Sequence, residues 1–339
     1  MQLWFQTPPA QRSILSVLIP VALLLVFCCL ASLFFGAGDV GPSDVMALFM
    51  GAGSDDTRFV VFELRLPRTL IGIFAGLSLG LAGALMQSVA RNPLAEPGLL
   101  GVSSGSAFAV AIALAFGAST ATLSVGLAQL GALIGCFCVI GVAQMQGQRN
   151  DPIRLVLAGA ALSSLLIAMT SLLLLYNERA ADEIRFWVTG SIAGRNVEQL
   201  LSLLPSFAIA IACVVYVARP LASLALGERV AIGLGYKPGR IRLIVVFAVA
   251  LLVGAATAIA GPVMFVGLVV PFAARALVGP DIRRTLWLCL PIGPLVILSA
   301  DVFSRLVAQP AEMPLGVLTA MVGAPVLLAI VRAHRLPTL

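Results

Sequence analysis

The chain has little charge, one lysine and one histidine. Charged residues make up 11% of its 339 positions against 60% hydrophobic, and the mean hydropathy is +1.07. Such a composition excludes a soluble domain of this length. Lys237, the sole lysine, follows Tyr236 rather than glycine, so there is no Gly-x-x-x-x-Gly-Lys phosphate loop. With His334 the only imidazole, neither a Ser/His/Asp nor a Cys/His set can be assembled, and the chain reads as non-catalytic, with no metal or cofactor of its own. All six cysteines, Cys28, Cys29, Cys136, Cys138, Cys213 and Cys289, fall inside apolar runs and read as packing residues. Paired acids deep in apolar runs, which a proton- or sodium-coupled carrier would use, are also missing. The one acid near the end of such a run is Asp301, with Arg305 four residues on, the spacing of a local helical ion pair.

Long apolar runs are what the chain has instead. They lie at 14–35, 70–89, 99–116, 121–142, 155–176, 200–218, 243–260, 263–278, 286–300 and 314–331. A bilayer crossing needs about 20 apolar residues, and the first run is long enough. No small-residue cleavage site clearly follows it, so it reads as a retained span. Ten spans put both termini on one side. Placing the N-terminus inside leaves 14 of the 21 basic residues in cytoplasmic positions, the positive-inside bias expected of that orientation. The net charge of +6 then reflects topology and gives no support to nucleic-acid binding. The expectation is one all-α polytopic domain over residues 1–339, with about ten transmembrane helices and cytoplasmic termini.

Three stretches interrupt this pattern. Arg91-Asn92-Pro93-Leu94-Ala95-Glu96-Pro97-Gly98 holds two prolines, an asparagine and a glycine, which no continuous helix tolerates. In lipid, broken backbone survives only where protein or a water-filled cavity satisfies it. Gly72, Gly76 and Gly80 fall four apart, on one helical face that lets a neighbour approach closely. Residues 222–235 read as a short amphipathic helix bracketed by Gly227 and by Gly233 and Gly235. Its anchors would be Leu224, Leu226, Val230 and Leu234, with Glu228 and Arg229 as rim charges, a pattern suited to docking in a groove.

Several ordered motifs together resemble the FecCD-type permease family, the membrane subunits of type II ABC importers for ferric siderophores, haem and cobalamin. They are Arg65-Leu66-Pro67-Arg68-Thr69, the glycine series, Gly83-Ala84-Leu85-Met86-Gln87 and Asn92 to Gly98. Further along come Leu157-Ala158-Gly159, Arg185-Phe186-Trp187 with Gly190-Ser191, Leu224-Ala225-Leu226-Gly227, Gly261-Pro262 with Phe265-Val266-Gly267-Leu268, and Gly323-Ala324-Pro325-Val326. The wording is most like the ferric-siderophore branch, with haem or cobalamin, or a secondary carrier, as alternatives.

The resemblance implies a permease dimer, identical or paralogous, in the bacterial inner membrane, with a path lined mainly by the fifth and tenth spans. Two ATP-binding subunits carrying ATP and Mg, and an extracytoplasmic binding protein, would complete it. Residues 222–235 would be the segment that couples to the ATPase. Asn92 and Leu94 would gate the inner end of the path, unless that loop only seats the next helix. Arg65, Arg68 and Arg305 match arginines that dock acidic residues of the binding protein, and are expected at the outer surface. In one departure, Phe272 stands where the family often has histidine, leaving Arg275 at its usual spacing.

Overall fold

The computed structural model describes residues 13–36, 38–118, 125–144, 152–176, 178–308 and 312–332. Among these residues the regular structure is helical, without strands. Helix α1 is Ile14–Phe34 and α2 is Pro42–Phe49. Helix α3, Asp55–Phe59, continues through a wide turn at Val60–Arg65 into α4, Leu66–Ala90. A 3₁₀ turn at Pro97–Leu100 precedes α5, Val102–Ala115, followed by α6, Val125–Gln144, α7, Pro152–Leu175, and α8, Glu178–Val188. Then come α9, Val197–Ala225, α10, Glu228–Gly233, α11, Pro238–Ala260, α12, Val266–Val278, α13, Ile282–Val307, and α14, Leu315–Arg332.

Seven helices among the described residues are long and apolar enough to cross a membrane, and three shorter apolar ones, in α5, α12 and α14, accompany them. Their positions coincide with the ten apolar runs. His334 lies outside the described residues.

Helix α4 sits at the centre because its sequence offers no polar face to water and almost no side chain along one edge. Gly76 lies so close to Gly293 of α13 that a Cβ would stand 2.4 Å from the Gly293 carbonyl carbon. A Cβ on Gly72 would meet Leu298 at 2.7 Å, and one on Gly80 would meet Val270 at 2.9 Å. The glycine series therefore does what its spacing predicts, and Gly83 extends it: a Cβ there would lie 1.8 Å from the Gly267 carbonyl oxygen in α12. Gly105 and Gly131 bring α5 and α6 together in the same way. Between apolar helices in lipid there is little hydrophobic drive, so close packing of this kind holds the bundle. Gly83→Val should therefore force α12 off α4, an overpacking cost of about 1–3 kcal/mol or more. A melting temperature equal to wild type in detergent would contradict this packing.

Two broken stretches meet beside that contact. At the end of α4, Arg91 adopts the left-handed conformation, with φ 47°, and the chain turns back through 92–101 into α5. After α11, Gly261 and then Phe265 take positive φ of 72° and 67°, and α12 starts at Val266. Gly83 is seven residues from the end of α4, so α12 begins about 10 Å inside the bundle from that end. Pro97 packs against Gly267 there, its ring 3.0 Å from where a Cβ would be. Each break thus rests on the other rather than on lipid.

The stretch expected as one helix over 222–235 is divided. Residues up to Ala225 are the last turn of α9, which continues past Pro220 because Leu221 and Leu224 are buried beneath it. Gly227, at φ 122°, breaks the chain, and only Glu228–Gly233 form a separate helix.

Candidate functional site

The residues with expected roles gather at the two ends of the bundle, joined by α4. Residues assigned to the cytoplasmic side meet at one end, and Arg65, Arg68 and Arg305, expected at the outer surface, meet at the other, with Arg195 beside them.

At the inner end, α10 exposes an apolar tip. Leu226 is 74% exposed, Val230 44% and Leu234 60%, and Ile232, which the sequence reading missed, is 59% exposed. Leu224 departs from expectation: it is buried, packed under the end of α9, and cannot be a docking anchor. Glu228 is no free rim charge either, because it pairs with Arg242 of α11. Arg229 remains exposed. Ala231 is fully buried, so α10 is held on its inner face while its apolar outer face has no partner among the described residues. Gly227 and Gly235, at φ 122° and 83°, make the turns that present it.

The broken loop is tied to this tip. Arg91 donates from Nη2 to the Leu224 carbonyl at 2.6 Å, linking the end of α4 to the last turn before α10. Asn92 builds the turn itself: its Oδ1 accepts from the Leu94 N–H at 2.9 Å and its carbonyl from the Ala95 N–H at 3.0 Å. Leu94 is 37% exposed. Sequence reasoning passed over Glu96, whose Oε1 accepts the Phe265 N–H at 3.1 Å. That places a carboxylate at the N-terminus of α12, where the helix dipole favours negative charge. Gln87 and Arg275, both buried, pair behind it, and the Gln87 amide faces the carbonyls of Gly267 and Leu268. Arg275 is thus a structural clamp between α4 and α12, with Phe272 one turn nearer the start of that helix. The loop connects the exposed tip to the buried start of α12 through hydrogen bonds at both its ends.

At the outer end the three arginines are not exposed, contrary to expectation. Arg65 is 4% exposed and donates to the carbonyls of Leu33, Phe34 and Val40, closing the C-terminal end of α1. Arg305 is 2% exposed and donates to the Ser32 and Phe35 carbonyls and the Ser32 hydroxyl. Helix carbonyls left over at the end of α1 need donors, and these guanidiniums supply them. Arg305 also pairs with Asp301 at 2.7 Å, the i,i+4 pair expected from the sequence. Arg68 reaches Asp301 at 2.6 Å and grips both oxygens of Glu312 at 2.8 and 2.9 Å. A cavity of about 370 Å³ opens over Arg65, Arg68 and Arg305, with Arg195, Glu63 and Glu312 on its walls. Arg195 makes no hydrogen bond or ion pair among the described residues, and burial pushes its guanidinium down from its ordinary value.

Between the ends, α7 is packed on α5 and α6 only along one edge and leaves Leu157, Leu165, Ile167 and Leu172 exposed. Its open side also carries Ser164 and Ser171, seven residues apart on one face, each donating to the carbonyl four residues back. Helix α14 leaves Met321, Val322 and Leu328 exposed.

Comparison with known proteins accords with this layout. A model of the FecCD transport family matches residues 24–333. The chain is 42% identical over 311 residues to the ferric enterobactin transport system permease protein FepD of Escherichia coli (strain K12), spanning 91% of this chain and 93% of that one. It is 35% identical over 322 residues to the Fe(3+)-citrate import system permease protein YfmD of Bacillus subtilis (strain 168), spanning 95% and 96%. A solved metal-chelate type ABC transporter in an inward-facing conformation superposes with a TM-score of 0.80 at 31% identity, covering 94% of this chain and 99% of that one. With one match running from the first apolar helix to the last, the chain belongs to the FecCD transport family and is a multi-pass membrane permease.

Proposed function

We propose that the chain is one membrane-spanning half of a type II ABC importer that moves a ferric siderophore across the bacterial cytoplasmic membrane. The observation that carries this reading is the apolar tip of Leu226, Val230, Ile232 and Leu234, exposed yet wired through Arg91 to the broken loop. Such a face needs a protein partner, and a chain without a phosphate loop needs one that hydrolyses ATP. Two ATP-binding subunits, carrying ATP and Mg, would dock there and place the N- and C-termini in the cytoplasm. A second permease copy, identical or paralogous, would cover α7 and α14 and enclose the path, for which the hydroxyls of Ser164 and Ser171 suit a wide, weakly interacting wall. The binding protein would dock at the outer cavity. The siderophore assignment is supported by the likeness to permeases named for ferric enterobactin and ferric citrate.

The test is uptake of radio-iron on a panel of siderophores, beside labelled haem and cobalamin, in cells lacking the chain and in complemented cells that keep the ATPase and binding protein. Loss of one siderophore's uptake, restored by the chain, is expected. Loss confined to haem or cobalamin would move the substrate, and unchanged uptake of everything would overturn the reading.

In this machine, Glu96 holds the gate loop of Asn92 and Leu94 against α12. Its bond to a backbone N–H is charge-assisted and worth about 1.5–3 kcal/mol. Glu96→Ala should lower uptake several-fold with normal membrane insertion, and Glu96→Gln should fall between it and wild type. Wild-type uptake in both variants would remove the latch.

A further inference from the structure

The outer cavity has more positive charge than its acids neutralise. Arg65, Arg68, Arg195 and Arg305 line it or its floor, against Glu63, Glu312 and the buried Asp301. The two carboxylates on Arg68 differ sharply in environment. Asp301 has a side chain only 1% exposed and also serves Arg305, so it is fixed in place. Glu312 has a side chain 32% exposed, lies on the cavity wall and, among the described residues, bonds to Arg68 alone. It stands three residues before α14. The start of that helix is also held by Gly316, which packs against Thr189 and Pro262 and donates its N–H to the Gly190 carbonyl, and by the buried Leu315 and Leu318, with Gly323 against Phe265 further along. The Arg68–Glu312 ion pair adds a polar tether between the central helix and the segment leading into α14.

We propose that Glu312 is an internal stand-in for a carboxylate of the docking protein: an acidic side chain enters the cavity at Arg195, takes over Arg68, and the release of Glu312 removes the polar tether between α4 and the segment leading into α14. This rests on the importer reading and adds to it both a contact residue, Arg195, and a route from docking to movement of a path-lining helix. Exchange of one carboxylate for another on Nη1 of the same guanidinium preserves a charge-assisted hydrogen bond while Nε and Nη2 stay on Asp301. The step is therefore reversible, as a docking cycle requires. Arg65 and Arg305 take no part in the exchange, because their donors are spent on the carbonyls of α1. Arg195, with no partner to leave, supplies the steering charge that sets on-rate.

The test uses the permease–ATPase complex in nanodiscs, with docking of the substrate-loaded binding protein followed by surface plasmon resonance and ATP hydrolysis measured alongside. Glu312→Gln should tighten docking by ~10-fold, since Arg68 is then freer to accept the partner. It should also raise basal ATP hydrolysis toward the docked level, and Glu312→Asp should return both toward wild type. Arg195→Gln should slow association by ~5- to 10-fold, an effect that fades at high salt. Wild-type docking and basal hydrolysis in Glu312→Gln would overturn the stand-in. If that variant fails to assemble, a wild-type association rate in Arg195→Gln would overturn the entry route. A wild-type complex that binds no binding protein would instead sink the importer reading itself.

Discussion

Replacing Leu226 and Val230 together by aspartate should release the ATP-binding subunits from the purified complex and abolish ATP-driven uptake, while the helical bundle stays folded. Leu226 is 74% and Val230 44% exposed in the chain alone, so the substitutions disturb little internal packing. In the assembled importer each would be buried, at about 1.5–3 kcal/mol per side chain. Losing two costs about 3–6 kcal/mol, or more than a hundredfold in affinity, before the expense of burying two carboxylates is counted. Leu224→Asp is a poor substitute for this experiment, because Leu224 is buried and its loss would disorder the end of α9. Retention of the ATPase at wild-type stoichiometry by the double variant, with wild-type melting, would contradict docking at this tip.

The second large effect belongs to Asp301. This carboxylate is 1% exposed and answers two arginines, Arg68 at 2.6 Å and Arg305 at 2.7 Å, from two different helices. Asp301→Ala would leave both guanidiniums without their shared counter-ion in the low-dielectric interior. Removing one partner of a buried ion pair costs about 3–5 kcal/mol. The end of the bundle where α1, α4 and α13 converge should loosen, with a fall in melting temperature and in the amount of protein recovered from membranes. An equal replacement at Glu312, more exposed and bound to one arginine, should cost far less stability. A variant at Asp301 that melts like wild type would show that the cluster does not hold these helices together. The same geometry explains why charge reversal at Arg65 or Arg305 is not a clean probe of docking: it would first break the closure of α1.

Much of the architecture was legible in the sequence because lipid imposes simple rules. Apolar length located the seven long apolar helices and the three shorter ones, and the four-residue spacing of Gly72, Gly76 and Gly80 identified the face on which α13 lies. The Asp301–Arg305 pair followed from an i,i+4 spacing within one helix. Contacts between segments distant in the chain were not legible. Arg65 and Arg305 carry charge, and charge beyond a span's end ordinarily means exposure. Only the fold shows that the unpaired carbonyls of α1 lie within their reach. Leu224 fits an amphipathic pattern, but the register changes at Gly227, so it belongs to the helix before the break. Glu96 and Arg91 looked like ordinary loop charges because their partners, Phe265 and Leu224, are more than a hundred residues away.

The central claim is that ATP hydrolysis on another subunit, coupled through α10, moves a ferric siderophore through this chain. The most direct measurement is transport in liposomes reconstituted with the permease, its ATP-binding subunit and the binding protein, with radio-iron siderophore outside and ATP inside. The account predicts accumulation that needs ATP and the binding protein and is absent with the Leu226→Asp, Val230→Asp permease. Uptake by the permease alone, driven by a proton or sodium gradient without ATP, would contradict it.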